Sequence, residues 1–461
     1  MAGFCTFNKK NSMNSKLITL LFLLFSVNVL AQRSNSGWQN LYNGKDLNGW
    51  KLFGGKAFYE AKGDEIIGTT VSNTPNSFLA SEKEYGDFIL EVELLAHPLM
   101  NSGIQFRSLS KSEYQNGRVH GYQMEIDPSA RAWSGGVYDE GRRGWLYNLD
   151  LNPAAKTAYK INDWNMYRIE CIGNTIRTWV NGVPVSHLID DMTSKGFIAL
   201  QVHSIPSSEP QGRQIRWKNI RIQTENLKPS APEDIFVVNM VGNSLTALEK
   251  KQGYRLLWDG KSSKGWTAAN GSPFPAEGWQ IEDGVLSVQK DIPGEKAKGG
   301  DIVSEKEFSA FELKFDFKLT KGANSGLKYF VSNLGGSILG LEYQVLDDEN
   351  HPDAKMGIKG NRTQASLYDI MPSQKIPYSL KKVGEWNQAI IRVYPDNRVE
   401  HWLNGIRVLE YQRGSSDFIQ NISLSKFKAV QGFGLSPMGK ILLQDHGDEV
   451  YFRSIKIKEL K

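Results

Sequence analysis

Six short motifs occur twice in this chain, in the same order and about 220 residues apart. Asn40-Leu-Tyr-Asn-Gly-Lys-Asp-Leu-Asn-Gly-Trp50 returns as Leu256-Leu-Trp-Asp-Gly-Lys-Ser-Ser-Lys-Gly-Trp266, and Asn101-Ser-Gly-Ile104 as Asn324-Ser-Gly-Leu327. Asp163-Trp-Asn165 pairs with Glu385-Trp-Asn387, and Trp179-Val-Asn-Gly182 with Trp402-Leu-Asn-Gly405. Leu200-Gln-Val-His203 pairs with Leu443-Gln-Asp-His446, and the segment Ile215 to Ile222 with Val450 to Ile457. The offset widens only near the end. A period this long is a whole domain rather than a solenoid unit. The expected organisation is a first domain over 36–224, a linker over 225–251 and a second domain over 252–461.

Inside each copy the patterning is that of strands. Phe88-Ile-Leu-Glu-Val-Glu-Leu94 and Phe311-Glu-Leu-Lys-Phe-Asp-Phe-Lys318 alternate apolar with polar residues, the period of a half-buried strand. Asn-Gly pairs at Asn43, Asn181 and Asn404 are tight-turn dipeptides. No stretch keeps a helical period for three turns, although Leu245 to Lys251 is expected to form a turn or two. Many short strands with frequent turns predict an all-β chain of two tandem β-sandwich or jelly-roll domains.

The N-terminus reads as an export signal. Lys9, Lys10 and Lys16 precede the apolar run Leu17 to Phe25, and Val29 and Ala31 are the small residues of a cleavage site. Residues 1–31 are therefore expected to be removed, giving a secreted or periplasmic protein with no membrane span. Cleavage would leave Cys171 as the lone thiol, without an internal disulfide partner. Net charge is +5 with no basic block, so nucleic acid is not an expected partner. Phosphate loops, nucleophile elbows and dinucleotide fingerprints are absent from the sequence, which argues against kinases, α/β-hydrolases and dehydrogenases.

Candidate chemistry lies on strand faces. Alternation puts Gln123, Glu125 and Asp127 on one face, and Tyr122, Met124 and Ile126 on the other. In the second copy Glu342 and Gln344 take the equivalent face, with acid and amide exchanged. Gln201 with His203, and Gln444 with His446, are expected two apart on a second strand. Since one face of each sheet must be buried, these polar faces are expected to open to solvent or a cleft; the alternative is a merely solvated strand face. Both Asn-Ser-Gly segments are expected to be turns. Trp164, Trp179, Trp386 and Trp402 are read as core residues, and His97 and His187 have no assigned role. A divalent cation could be ligated through Glu342, Asp347, His351 and His446, though their spacing fits no short metal motif.

At these motifs the chain resembles the 3-keto-disaccharide hydrolase domain family, and the resemblance covers nearly all of both copies. The carrying residues are Asn43-Gly-Lys45 with Trp50, the two Asn-Ser-Gly segments, Gly121 to Glu125 and Gly340 to Gln344. Val137-Tyr138, Ser366-Leu-Tyr368, Glu385-Trp-Asn387 and Leu443-Gln-Asp-His-Gly447 complete the set. The first copy departs from the pattern, with Ser204-Ile-Pro206 after His203 and Gly135-Gly136 before Val137. The second copy is the closer match and is expected to carry the principal activity. The resemblance implies a concanavalin-like jelly roll and an enzyme that cleaves glycosides already oxidised at sugar C3. In such a substrate the ketone acidifies the C2 hydrogen, so a carboxylate or imidazole suffices as base. His446 or Glu342 is the expected base, with Gln344, Gln444, Lys328, Arg362 and Tyr368 orienting substrate or stabilising the enolate. The corresponding first-copy residues are His203, Glu125, Gln123, Gln201, Arg107, Asp127 and Tyr138. A non-catalytic carbohydrate-binding protein is the competing reading, because the same sandwich serves lectins.

Overall fold

The computed structural model describes residues 37–292, 294 and 298–461. The expected signal segment 1–31 lies outside the described residues. Among those described, no helix is long and apolar enough to cross a membrane.

Each copy is a pair of packed sheets, antiparallel throughout except for one short parallel edge strand that the interdomain segment adds to the first copy. In the first copy a seven-stranded sheet faces a nine-stranded one, and in the second a five-stranded sheet faces an eight-stranded one. The alternation seen in the sequence decides which side chains meet between them. Phe88, Leu90, Val92 and Leu94 from one sheet pack with Ile104, Tyr122, Met124, Ile126 and Leu200 from the other. In the second copy Phe311, Leu313, Phe315 and Phe317 meet Leu327, Tyr329, Leu341, Tyr343 and Leu443. Gln123 and Glu125, and Glu342 and Gln344, consequently point away from the sandwich core.

Several repeated motifs are structural locks. Trp50 Nε1 donates to Leu41 O (3.2 Å) and Trp266 Nε1 to Leu257 O (3.0 Å). Asn181 Nδ2 donates to Asn165 Oδ1, and Asn404 Nδ2 to Asn387 Oδ1, both at 2.8 Å. Two of the three Asn-Gly turns share one backbone: Asn181 and Asn404 both have φ +50°, and Gly182 and Gly405 both +79°. These left-handed values suit Asn-Gly because Asn tolerates them and Gly has no Cβ to clash. Of the four tryptophans read as core, Trp179 and Trp402 are buried. Trp164 and Trp386 are half-buried, capped by Lys218 Nζ at 4.1 Å and by Arg453 Cζ at 4.1 Å from the ring centroids. Cys171 is buried, and burial pushes its thiol up to about 12, so it is a packing residue rather than a nucleophile.

The Asn-Ser-Gly segments are not turns. They open the strands Ser102–Leu109 and Asn324–Leu334. Gln444 and His446 do not share a strand either, because Gly439–Leu443 ends before them. Ser416–Ser423 is a two-turn helix that strand periodicity did not reveal; it lies where the repeat offset widens.

Residues 225–251 are held to both sandwiches. Val238–Asn239 pairs in parallel with Leu188–Ile189 at the edge of the nine-stranded sheet. On the other side, Lys314 Nζ donates to Val237 O (3.1 Å) and sits 3.6 Å from the Phe236 ring centroid. The helix Ala247–Lys251, with a Thr246–Glu249 capping box, places Glu249 Oε1 2.7 Å from Lys456 Nζ, both side chains buried.

Candidate functional site

The second copy concentrates ionisable groups on the outward face of its five-stranded sheet. Lys328 and Glu342 are direct cross-strand partners, with Nζ 3.9 Å from Oε2. Glu342 is 6 % exposed. Burial raises its pKa above the ordinary carboxylate value, opposed by the charges of Lys328, Lys426 and His446. Gly326 makes room for this carboxylate, since a Cβ there would meet Glu342 Oε1 at 2.5 Å. With its amide turned to satisfy the network, Gln344 donates to Glu342 Oε1 (2.9 Å) and Ser325 O (3.2 Å). Lys328 Nζ also lies 3.5 Å from Asp301 Oδ2. Asp301 Oδ1 accepts from Asp445 N (3.0 Å), and so ties down the loop that carries half-buried Gln444 and exposed His446.

Arg362 belongs to the wall of this site. Its guanidinium is shared between Asp353 (2.8 Å) and Asp369 (2.6 Å). Tyr368 donates to Asp353 Oδ2 (2.9 Å), and Arg362 and Lys426 lie over its ring at 5.5 and 4.3 Å. Sequence reasoning missed Lys426, Asp301, Asp353 and Asp369. Lys426 lies in the stretch where the repeat offset widens, and that widening was the available signal. Its backbone N donates to Asp369 Oδ2 (2.7 Å), which fixes the loop beside Tyr368.

The four side chains considered for a cation do not converge. Asp347 is occupied by Gly322 N (2.8 Å) and Asn350 Nδ2 (2.7 Å), and His351 Nδ1 accepts from Asp353 N (3.1 Å). No group of three or more His, Cys, Asp or Glu among the described residues is placed to hold a metal ion.

In the first copy the face is built from amides. Gln105 and Gln123 occupy the register positions of Lys328 and Glu342, and Gln105 Nε2 donates to Gln123 Oε1 at 2.5 Å. Gln123 Nε2 donates to Glu125 Oε2 (2.9 Å), and Asn101 Nδ2 to Glu125 Oε1 (2.6 Å). Burial pushes Glu125 up to about 7. Tyr138 lies across the ladder from Gln123. Asp127 stands just past the strand His120–Ile126, bonded by Ser129 Oγ (2.6 Å) and Arg131 Nε (2.7 Å). Contrary to expectation, this face is not open. Gln123, Glu125 and Gln201 are all buried; Gln123 and Glu125 are hydrogen-bonded to each other, and the Gln201 amide has no hydrogen-bond partner among the described residues. Half-buried His203 contacts Ser204 O through Nδ1 (2.7 Å), and burial lowers its pKa.

Arg107 is not part of the site. It leaves the face at a left-handed residue (φ +44°), and its guanidinium reaches Gly86 O, Gly173 O and Asp87. Phe330 has the matching φ of +54°, so Arg107 corresponds to Phe330, and Lys328 to Gln105.

Comparison with known proteins agrees with the two-copy organisation. The profile of the 3-keto-alpha-glucoside-1,2-lyase-like domain matches residues 37–223 and again 253–458. A 3-keto-disaccharide hydrolase of Bacteroides thetaiotaomicron is 38 % identical over 232 residues, covering 45 % of this chain and 79 % of that protein. Among solved structures, a candidate glycosyl hydrolase from Parabacteroides distasonis is 35 % identical with a TM-score of 0.42, covering 48 % of this chain and 100 % of the other. A second from the same organism is 26 % identical with a TM-score of 0.35, covering 45 % and 99 %.

Proposed function

The chain belongs to the 3-keto-alpha-glucoside-1,2-lyase-like domain family, and from that premise we propose that it cleaves glycosides oxidised at C3, with the chemistry in the second copy. The observation that carries this reading is the buried Glu342 carboxylate with the Lys328 ammonium 3.9 Å away on the neighbouring strand. The 3-keto-disaccharide hydrolase relative supports a hydrolase acting on a carbohydrate.

In this reading Glu342 removes the C2 hydrogen. Its raised pKa makes it a stronger base than a solvated carboxylate, while Lys328 keeps it from being neutralised altogether. The electron pair passes to the C3 oxygen as an enolate, which Lys328 and Lys426 stabilise by charge. Collapse of the enolate forms the C1–C2 double bond and breaks the C1–O bond. The leaving oxygen takes a proton from His446 or from water. Water then adds at C1 while C2 recovers a proton, so the net change is hydrolysis. Gln344 holds the carboxylate in register, and the Asp353–Arg362–Asp369 pairs hold Tyr368 at the wall. The first copy has Gln105 where this scheme needs a cation and Gln123 where it needs the base. Export to the periplasm or beyond, supported by the Lys16 to Ala31 pattern, completes the proposal; a mature N-terminus near Gln32 is its check.

The test is aglycone release from a 3-keto-glycoside by the full-length protein. Glu342→Gln is expected to lower turnover by about 10²–10⁴-fold, the usual effect of losing a general base. Near-normal turnover in that variant would refute the assignment.

A further inference from the structure

We propose that the cleft between the two sandwiches is a second saccharide-binding site, separate from the Glu342 face and formed only because the copies are joined. The cleft encloses about 380 Å³, enough for a sugar ring or two, and its walls come from both copies. Trp145, Asp191 and Met192 come from the first copy, and Lys381, Trp386 and Gln388 from the second.

The chemistry of the walls selects an uncharged, hydroxyl-rich ligand. The cationic side chains are already engaged. Arg143 pairs with Asp139 (2.6 Å) and also with Asp190, and Arg453 with Asp316 (3.2 Å). Lys381 donates to the Arg143 carbonyl and faces the Glu385 charge. An anionic ligand would have to displace one of these contacts. The remaining surface is indole edge and thioether, the amides of Gln388 and Asn404 and the exposed acids Asp191 and Glu385, a mixture that packs against the C–H groups of a sugar and bonds its hydroxyls. Met192, 52 % exposed, stands at the mouth.

An aromatic cluster continues the first-copy wall. Trp145 packs edge-on against Trp133 (4.8 Å) and Tyr138 (5.3 Å), and Tyr378 of the second copy reaches Trp133 at 5.7 Å. Arg131 lies over the rings of Trp133, Trp145 and Tyr378 at 4.7, 5.2 and 5.3 Å. The wall is therefore preformed, and it is shared between the copies.

The inference does not depend on which copy carries the chemistry, and the experiment keeps the two apart. The probes are maltose and cellobiose, which lack the C3 ketone, titrated into the full-length Glu342→Gln protein by calorimetry. Saturable binding is expected. Met192→Arg, which fills the mouth, and Gln388→Leu are each expected to weaken it by about tenfold or more, with unchanged melting temperatures. The idea is overturned if neither disaccharide binds at millimolar concentration, or if binding survives both cleft variants. Turnover of a 3-keto-glycoside is measured separately on the protein with Glu342 intact, so failure of the cleft and failure of the catalytic assignment give different results.

Discussion

Lys328 stands directly across the ladder from Glu342, its Nζ 3.9 Å from Oε2, while the first copy places two glutamines at the same register. The same cross-strand position therefore carries an ion pair in one copy and an amide pair in the other, within a single chain. Lys328→Met should lower turnover of a 3-keto-glycoside by about 10²–10³-fold, the scale for removing one donor to a developing oxyanion. Glu125→Gln in the first copy should change it far less. Steady-state kinetics on both variants check this.

The raised pKa of Glu342 fixes the direction of a pH effect. As the base it must be ionised, so kcat/KM should fall with acid at a pH above the ordinary carboxylate range. Lys328 holds that pKa down, so Lys328→Met should move the acid limb to still higher pH. A limb that stayed fixed or moved down would mean another group is titrating.

Gly326 offers a test that leaves every ionisable group in place. Gly326→Ala puts a methyl 2.5 Å from the present position of Glu342 Oε1, so the carboxylate must leave that position. Turnover should drop by at least about tenfold, since small displacements of a catalytic group are costly. Circular dichroism should remain that of the parent protein.

The buried Glu249–Lys456 pair is the electrostatic hold of the interdomain segment on the second sandwich. Lys456→Met leaves Glu249 buried without its cation and should cost about 3–5 kcal/mol in urea unfolding. Replacing both, as Glu249→Leu with Lys456→Met, should recover part of that loss.

His401 is fully buried, with Nε2 2.8 Å from Tyr329 Oη and Nδ1 2.9 Å from Ala365 O, and burial lowers its pKa to about 4. Below its ordinary value of 6.5 the unfolded chain takes a proton that the folded chain refuses. Its contribution is therefore present above pH 6.5 and lost as pH falls from 6.5 towards 4. The stability slope over that window should flatten in His401→Gln, as read by urea midpoints at several pH values.

The sequence made the sandwich legible because period-two alternation is imposed by the core: Tyr343 must face in, so Glu342 and Gln344 must face out. Local composition misled where tertiary demands took over. Asn-Ser-Gly looks like a turn, but Gly326 lies in a strand because only a residue without Cβ leaves space for Glu342. Leu443-Gln-Asp-His446 looks like strand alternation, but Asp301 captures the Asp445 amide and ends the ladder. Arg107 looked like a cation of the first-copy site, but its left-handed backbone carries the guanidinium off the polar face to Gly86, Gly173 and Asp87. Lys426 has no counterpart in the first copy, so the widened repeat offset marked its neighbourhood but could not single out the residue.

The pairing of Val238–Asn239 with Leu188–Ile189 has a consequence for synthesis on the ribosome. When the first sandwich emerges, the strand Val183–Ile189 is left with unpaired peptide groups at the border of its sheet. They stay open until about fifteen further residues, through Asn239, have emerged, and meanwhile another nascent chain could pair there. A chain released after residue 224 would present that adhesive border, and one that extends through residue 251 would cover it.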